Sequence, residues 1–211
     1  MKKLVIFDCD GVLVDSEPIA NRVFAERLAG VGLNLSVREV MSRFVGRTRE
    51  GCLALATELL GRELPGGFAE GWDRALFDAF ARELRAVDGV VDVLRGIDVP
   101  CCVASNSSPE RMRVSLTAAG LLPFFEGRMF SATEVAQPKP APDLFLHAAR
   151  SLNAEPRDCV VIEDTLGGVK AAVAAGMKVF AYVGGGYSSA ETMKSEGAIP
   201  FKAMTELPGL L

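Results

Sequence analysis

The chain has 211 residues, 49% of them hydrophobic, and a formal net charge of -4 at pH 7. That is apolar material for one substantial core with a smaller unit attached, and acids and bases are interspersed rather than blocked, so no nucleic-acid partner is expected. The apolar run after Met1-Lys2-Lys3 is far too short for a signal segment or a membrane span, so no membrane partner is expected and the location expected is cytoplasmic. The cysteines, Cys9, Cys52, Cys101, Cys102 and Cys159, sit mostly in apolar runs without a C-x-x-C pair, and read as small buried hydrophobes.

In chain order, Lys3 to Phe7 reads as a buried strand that exits into Asp8-Cys9-Asp10-Gly11. From Ser16 to about Asp88 there is no convincing strand. Helical periodicity in Ile19 to Leu28, Arg47 to Leu60 and Phe68 to Leu84, broken by Gly61 and Pro65-Gly66-Gly67, predicts an inserted helical domain over 16–88, because the stretch is too long for a single connection. Further strands are predicted at Pro100 to Ala104, Arg128 to Ser131, Cys159 to Ile162 and Lys178 to Val183. Helices are predicted at Val90 to Ile97, Pro109 to Ala119, Asp143 to Leu152 and Gly168 to Ala175. This alternation over 1–15 and 89–211 implies an α/β core, a parallel sheet covered on both faces.

Ligands of such sheets bind beyond the carboxyl ends of the strands. The polar residues leaving the predicted strands are Asp8, Asp10, Ser105, Asn106, Glu163 and Asp164. An extended chain points residues i and i+2 to one side, so Asp8 and Asp10 can address a common ligand with Cys9 turned away. Taken singly, each signal has a plainer alternative. Asp-x-Asp-Gly suits a turn, Glu163-Asp164 suits the first turn of a helix, Ser105-Asn106 suits a helix cap, and Lys139 in Gln137-Pro138-Lys139-Pro140-Ala141-Pro142 suits a solvated loop. Taken together, four carboxylates at one sheet edge repel unless a cation neutralises them. An oxygen-only set with neither His nor Cys suits Mg²⁺ and leaves room for a phosphate oxygen. Ser105 and Asn106 would donate to that phosphate, and Lys139, its backbone limited by prolines, would offset the charge of the transferring group.

Asp8-Cys9-Asp10-Gly11-Val12-Leu13-Val14-Asp15-Ser16-Glu17, Ser105-Asn106, Lys139-Pro140-Ala141-Pro142-Asp143 and Ile162-Glu163-Asp164-Thr165-Leu166-Gly167-Gly168 occur in this order around the insertion. They resemble the haloacid dehalogenase superfamily over essentially the whole chain, in its branch of small phosphatases and β-phosphoglucomutase-like proteins. The resemblance implies a Rossmann-like core over 1–15 and 89–211, with a helical cap over 16–88 that closes over substrate. It also implies Asp8 as the nucleophile that forms an aspartyl-phosphate, Asp10 as general acid and base, and Ser105 and Lys139 as phosphoryl-binding residues. The implied Mg²⁺ shell comprises Asp8, the main-chain carbonyl of Asp10, Glu163 and Asp164. The presence of Asp10 argues against carbon-halogen cleavage, since the dehalogenases lack it.

Gly46-Arg47-Thr48-Arg49-Glu50 resembles the substrate-binding segment of β-phosphoglucomutases, with Arg49 placed to clamp a distal phosphate or carboxylate. The histidine those mutases place after the first motif is missing, since Ala20 stands there, and their cap lysine corresponds to Arg74 or a neighbour. The one histidine, His147, reads as a helix-surface residue. The expectation is a Mg²⁺-dependent phosphatase of a small phosphorylated sugar or sugar acid, similar to 6-phosphogluconate phosphatases, acting as a monomer or weak homodimer. The alternatives are a hexose-phosphate mutase and, from another class, a phospho-accepting signalling module. Such modules have no cap and place the accepting aspartate well inside the chain.

Overall fold

The computed structural model describes residues 4–44 and 47–211. The chain divides into two compact units, Ser16–Leu84 and a second comprising Met1–Asp15 with Arg85–Leu211. Strand β1 (Leu4–Phe7) opens the second unit, and the chain then enters the first.

The Ser16–Leu84 unit holds helices α1 (Glu17–Ala29), α2 (Val37–Phe44), α3 (Arg49–Leu60) and α4 (Phe68–Glu83). Thr48 starts α3 by accepting a hydrogen bond from the Gly51 amide, and Gly61 ends it at φ 71°, a left-handed conformation that glycine adopts without steric cost. Helix α2 is absent from the sequence expectations. It is only eight residues long, but Ser36 and Glu39 bond reciprocally at its start, the capping pattern that marks a helix entrance. The unit has its own core of Phe24, Leu28, Val40, Phe44, Ala56 and Phe68, with Trp72 packed against it. Phe24 stacks on Trp72 at 4.1 Å between ring centroids and meets Phe44 edge-on at 5.1 Å.

Trp72 is the only tryptophan, so its fluorescence reports this unit specifically. Phe24→Ala removes the ring that Trp72 and Phe44 share, and should destabilise the unit by about 3–5 kcal/mol. The expected result is a Trp72-monitored urea midpoint well below the wild-type one.

The other unit contains β2 (Cys101–Ser105), β3 (Met129–Ser131), β4 (Cys159–Glu163), β5 (Lys178–Tyr182) and β6 (Ile199–Phe201), with helices α5 (Val90–Gly96), α6 (Pro109–Ala118), α7 (Leu122–Phe125), α8 (Asp143–Ser151), α9 (Leu166–Ala174) and α10 (Ala190–Ser195). The sheet is wholly parallel in the order β3-β2-β1-β4-β5-β6. Strand β1 is buried along its length because helices cover both faces, which is why it reads as an unbroken apolar run. Leu4 and Ile6 join Cys102, Ala104, Phe145 and Val169 on one face, and Phe7 meets Phe125 edge-on at 6.2 Å. Strand β6 was not anticipated. Three residues including Pro200 make a weak strand signal, and Pro is tolerated there because β6 pairs with β5 at the end of the sheet.

Strand order reverses between β1 and β4, which opens a crevice at their carboxyl ends. Phe7 pairs with Ile162 in register, and the Asp8 amide donates to the Ile162 carbonyl at 2.9 Å. Asp8 and Glu163 therefore leave adjacent strands at the same level. All five cysteines are buried free thiols. Among the described residues no helix is long and apolar enough to cross a membrane.

Candidate active site

The centre of the site is the Lys139 ammonium. Its Nζ donates to Asp8 Oδ1 at 2.6 Å, to Glu163 Oε1 at 2.6 Å and to the Ala104 carbonyl at 2.8 Å, and it lies 4.6 Å from the centroid of the Phe145 ring. Residues 131 positions apart in sequence thus meet in a buried pair, with Lys139 only 8% exposed. Burial alone would lower the lysine pKa, but the charges of Asp8 and Glu163 outweigh it and the net shift is upward, so the ammonium is a fixed positive charge. Burial is likewise the largest influence on Asp8. Lys139 opposes it, Glu163 and Asp10 reinforce it, and the carboxyl is held up at about 7.

Each partner of this ammonium is placed by its own local structure. Glu163 ends β4, and its Oε2 accepts from the Asp164 amide, the Thr165 amide and the Thr165 hydroxyl at 2.9–3.0 Å. Thr165 in turn caps α9 through the Gly168 amide. Gly168 is required there because a Cβ would overlap the Glu163 carboxylate. Lys139 is held by Asn106, whose Oδ1 accepts from the Lys139 amide at 3.0 Å and whose Nδ2 donates to the Lys139 carbonyl at 3.2 Å. Ser105 is buried at the end of β2, and its hydroxyl accepts from the Ser107 amide.

The acidic turn after β1 is closed by bonds from the Gly11 amide to the Val14 carbonyl and from the Leu13 and Val14 amides to the Cys9 carbonyl. Gly11 has φ 80°, and a Cβ on it would overlap the Asp164 carboxylate, so Asp164 packs directly against this turn. Asp10 turns aside from Lys139. Its Oδ2 accepts from the Ser107 hydroxyl at 2.7 Å and its Oδ1 from Arg111 Nη2 at 3.1 Å.

Several of the expected site residues bond to protein partners. Both Glu163 oxygens accept hydrogen bonds, Oε1 from Lys139 and Oε2 from the α9 entrance. The Asp10 side chain is likewise committed to Ser107 and Arg111, and among the described residues no three His, Cys, Asp or Glu side chains gather around one point. Asn106 grips the backbone of Lys139 through both its amide oxygen and its amide nitrogen. Arg49 forks onto Asp73 of α4, Nη2 to Oδ2 at 2.6 Å, an exposed pair within its own unit. Gly46 lies outside the described residues. His147 is half-buried on α8, 3.2 Å from Glu134 Oε2 and edge-on to Phe130, and Arg74 is exposed on α4.

Arg111 and Thr165 escaped sequence reasoning. The one signal available was position: Arg111 lies in the first turn of α6, just beyond the Ser105-Asn106 strand exit, and Thr165 directly follows Glu163-Asp164.

The chain matches the haloacid dehalogenase-like hydrolase family over residues 2–176. It belongs to that family. The protein is therefore a hydrolase, with phosphatases among its relatives. It is 34% identical to the 6-phosphogluconate phosphatase of Escherichia coli K12 over 83% of this chain and 80% of that one. Identity to the fructose-1-phosphate phosphatase of the same organism is 30%, covering 82% and 92%. A haloacid dehalogenase family hydrolase from Deinococcus radiodurans R1, solved with bound phosphate and sodium, superposes with a TM-score of 0.83 at 31% identity over 99% of this chain and 94% of that one.

The Asp8 shift has a direct consequence for stability. An acid whose folded-state pKa is raised holds a proton that the unfolded chain has released, so stability falls as pH rises through the interval between the two values. For Asp8 that interval runs from 3.8 to about 7. In chelator-treated protein the urea midpoint should decline across it, and Asp8→Asn should flatten the decline. An equally steep slope in the variant would assign the titration to another group.

Proposed function

We propose that this hydrolase is a Mg²⁺-dependent phosphatase of a small phosphorylated sugar or sugar acid, working through an aspartyl-phosphate on Asp8. The observation that carries this reading is the buried Lys139 ammonium 2.6 Å from the Asp8 carboxylate, at the crevice where the strand order reverses. A carboxylate nucleophile attacking a phosphate monoester faces like-charge repulsion. A cation fixed beside it by two further hydrogen bonds, to Glu163 and the Ala104 carbonyl, lowers that repulsion with little reorganisation during the reaction.

In the first half-reaction an Asp8 oxygen bonds to phosphorus while the bond to the sugar oxygen breaks, and Asp10 supplies the proton for the leaving alkoxide. In the second, water attacks phosphorus, Asp10 takes the water proton, and the Asp8 carboxylate is regenerated. Ser105, at the end of β2, and Lys139 hold phosphoryl oxygens. Asp8 and Asp164, with the main-chain carbonyl of Asp10, would be the oxygen donors for Mg²⁺. Two carboxylates suit an ion that keeps waters and accepts substrate phosphate, and the packing of Asp164 against the Gly11 turn brings one of them to the segment that carries the other. When bound, the ion would neutralise charge on the nucleophile and on the transferring group.

Two relatives support the substrate class, since one is named for a phosphorylated sugar acid and the other for a phosphorylated ketose. Hydrolysis is favoured over intramolecular phosphoryl return because Ala20 stands where the mutases carry histidine. The five buried thiols suit a reducing, cytoplasmic setting.

Phosphate release across a panel of phosphorylated sugars and sugar acids, with Mg²⁺ and with a chelator, tests this function. Wild type should release phosphate only with the ion, and Asp8→Asn should lose at least about a thousandfold in kcat. Release from no substrate would end the phosphatase assignment. Isomerisation of a hexose 1-phosphate outpacing hydrolysis would move it to the mutases.

A further inference from the structure

Asp10 is gripped by two side chains to which neither the motifs nor the proposed mechanism gives a role. The Ser107 hydroxyl donates to its Oδ2 at 2.7 Å and Arg111 Nη2 donates to its Oδ1 at 3.1 Å. Neither donor is a loosely held surface group. The Ser107 carbonyl accepts from the Ser131 hydroxyl at 2.8 Å. Ser131 is itself fully buried and tied to the following turn, where its amide donates to Glu134 and its hydroxyl accepts from Thr133. Arg111 stands in the first turn of α6, and its amide donates to the Ser108 hydroxyl that caps that helix. The pair is partly shielded from solvent, with side-chain exposures of 27% for Arg111 and 16% for Asp10.

We propose that Arg111, together with Ser107, positions Asp10 as the base that activates water against phosphorylated Asp8. The inference rests on the phosphatase reading and names residues for its second half-reaction. Each oxygen of Asp10 thus meets its own donor. Two donors on separate oxygens also fix the plane of the group, which a single hydroxyl would leave free to rotate. In the step itself, the water oxygen bonds to phosphorus as the bond from phosphorus to Asp8 breaks. That electron pair returns to Asp8 and the water proton passes to Asp10. Arg111 acts through its bond to Asp10, so it is a positioning residue.

The first half-reaction with p-nitrophenyl phosphate separates this role from others, because nitrophenolate leaves without needing a proton. For this substrate kcat/KM covers only the steps through nitrophenolate release, whereas kcat includes hydrolysis of the aspartyl-phosphate. Arg111→Met should lower kcat about ten- to a hundredfold, the range typical of residues that orient a reacting group, while kcat/KM stays within about threefold of wild type. Nitrophenolate should then appear in a rapid burst of about one equivalent per active site, since the phosphoenzyme accumulates. Arg111→Lys should recover most of the lost kcat.

A parallel fall in kcat/KM would overturn the proposal by placing Arg111 on the phosphoryl group. Unchanged kcat without a burst would overturn it by showing the ion pair to be inert. Should Arg111→Met fail to fold, judged by Trp72 fluorescence and circular dichroism, Arg111→Gln is read by the same criteria. Wild type that hydrolyses no phosphoester would sink the phosphatase reading itself, whereas active wild type with an indifferent Arg111 sinks this inference alone.

Discussion

Burying an ammonium is costly unless its hydrogen bonds and its charge are both met, and the core unit is organised around meeting them for Lys139. Three acceptors converge on Nζ from three separate strands: Asp8 after β1, Ala104 within β2 and Glu163 at the end of β4. None of these strands can shift its register without withdrawing an acceptor. Removing any one partner would leave another charge buried and uncompensated, which is far more damaging than losing an exposed pair such as that of Arg49 and Asp73.

The surroundings of this cluster transmit the same constraint outward. Glu163 divides its two oxygens between Lys139 and the α9 entrance, so the helix start and the ammonium are fixed together. Asn106 clamps both backbone groups of Lys139, which ties the proline-rich turn to the exit of β2. On the other side, Ser131, Ser107 and Arg111 link the ends of β3 and β2 to Asp10. Asp8 and Asp10, the nucleophile and proton-transfer group of the proposed mechanism, are only two residues apart in the chain, yet they are held by different networks. That separation suits a reaction in which one carboxylate stays fixed on phosphorus while the other exchanges protons.

Much of the fold was legible in the sequence because its elements carry strong local patterns. Strands β1, β2, β4 and β5 are built on apolar runs, which follows from burial on both sheet faces, and α1, α3 and α4 show helical periodicity broken by glycine and proline. The elements that escaped are short. Strand β6 contains Pro200, and α2 betrays itself only through the Ser36 and Glu39 pair. For such segments pairing and packing, rather than local preference, decide the conformation.

The sequence by itself determined the order of the strand ends and the chemical types they present: two aspartates, a serine, a glutamate-aspartate pair and a proline-flanked lysine. Acids and a hydroxyl at one sheet edge, with neither His nor Cys, suit an oxygen-only cation site. Only the tertiary structure decided which acid meets which partner. Glu163 meets Lys139, Asn106 clamps the backbone of Lys139, and Arg111 meets Asp10. The physical reason is that a polar side chain's role depends on the few atoms within about 3 Å of it. Here those atoms come from residues a few dozen to more than a hundred positions away, brought together by packing that no local pattern encodes.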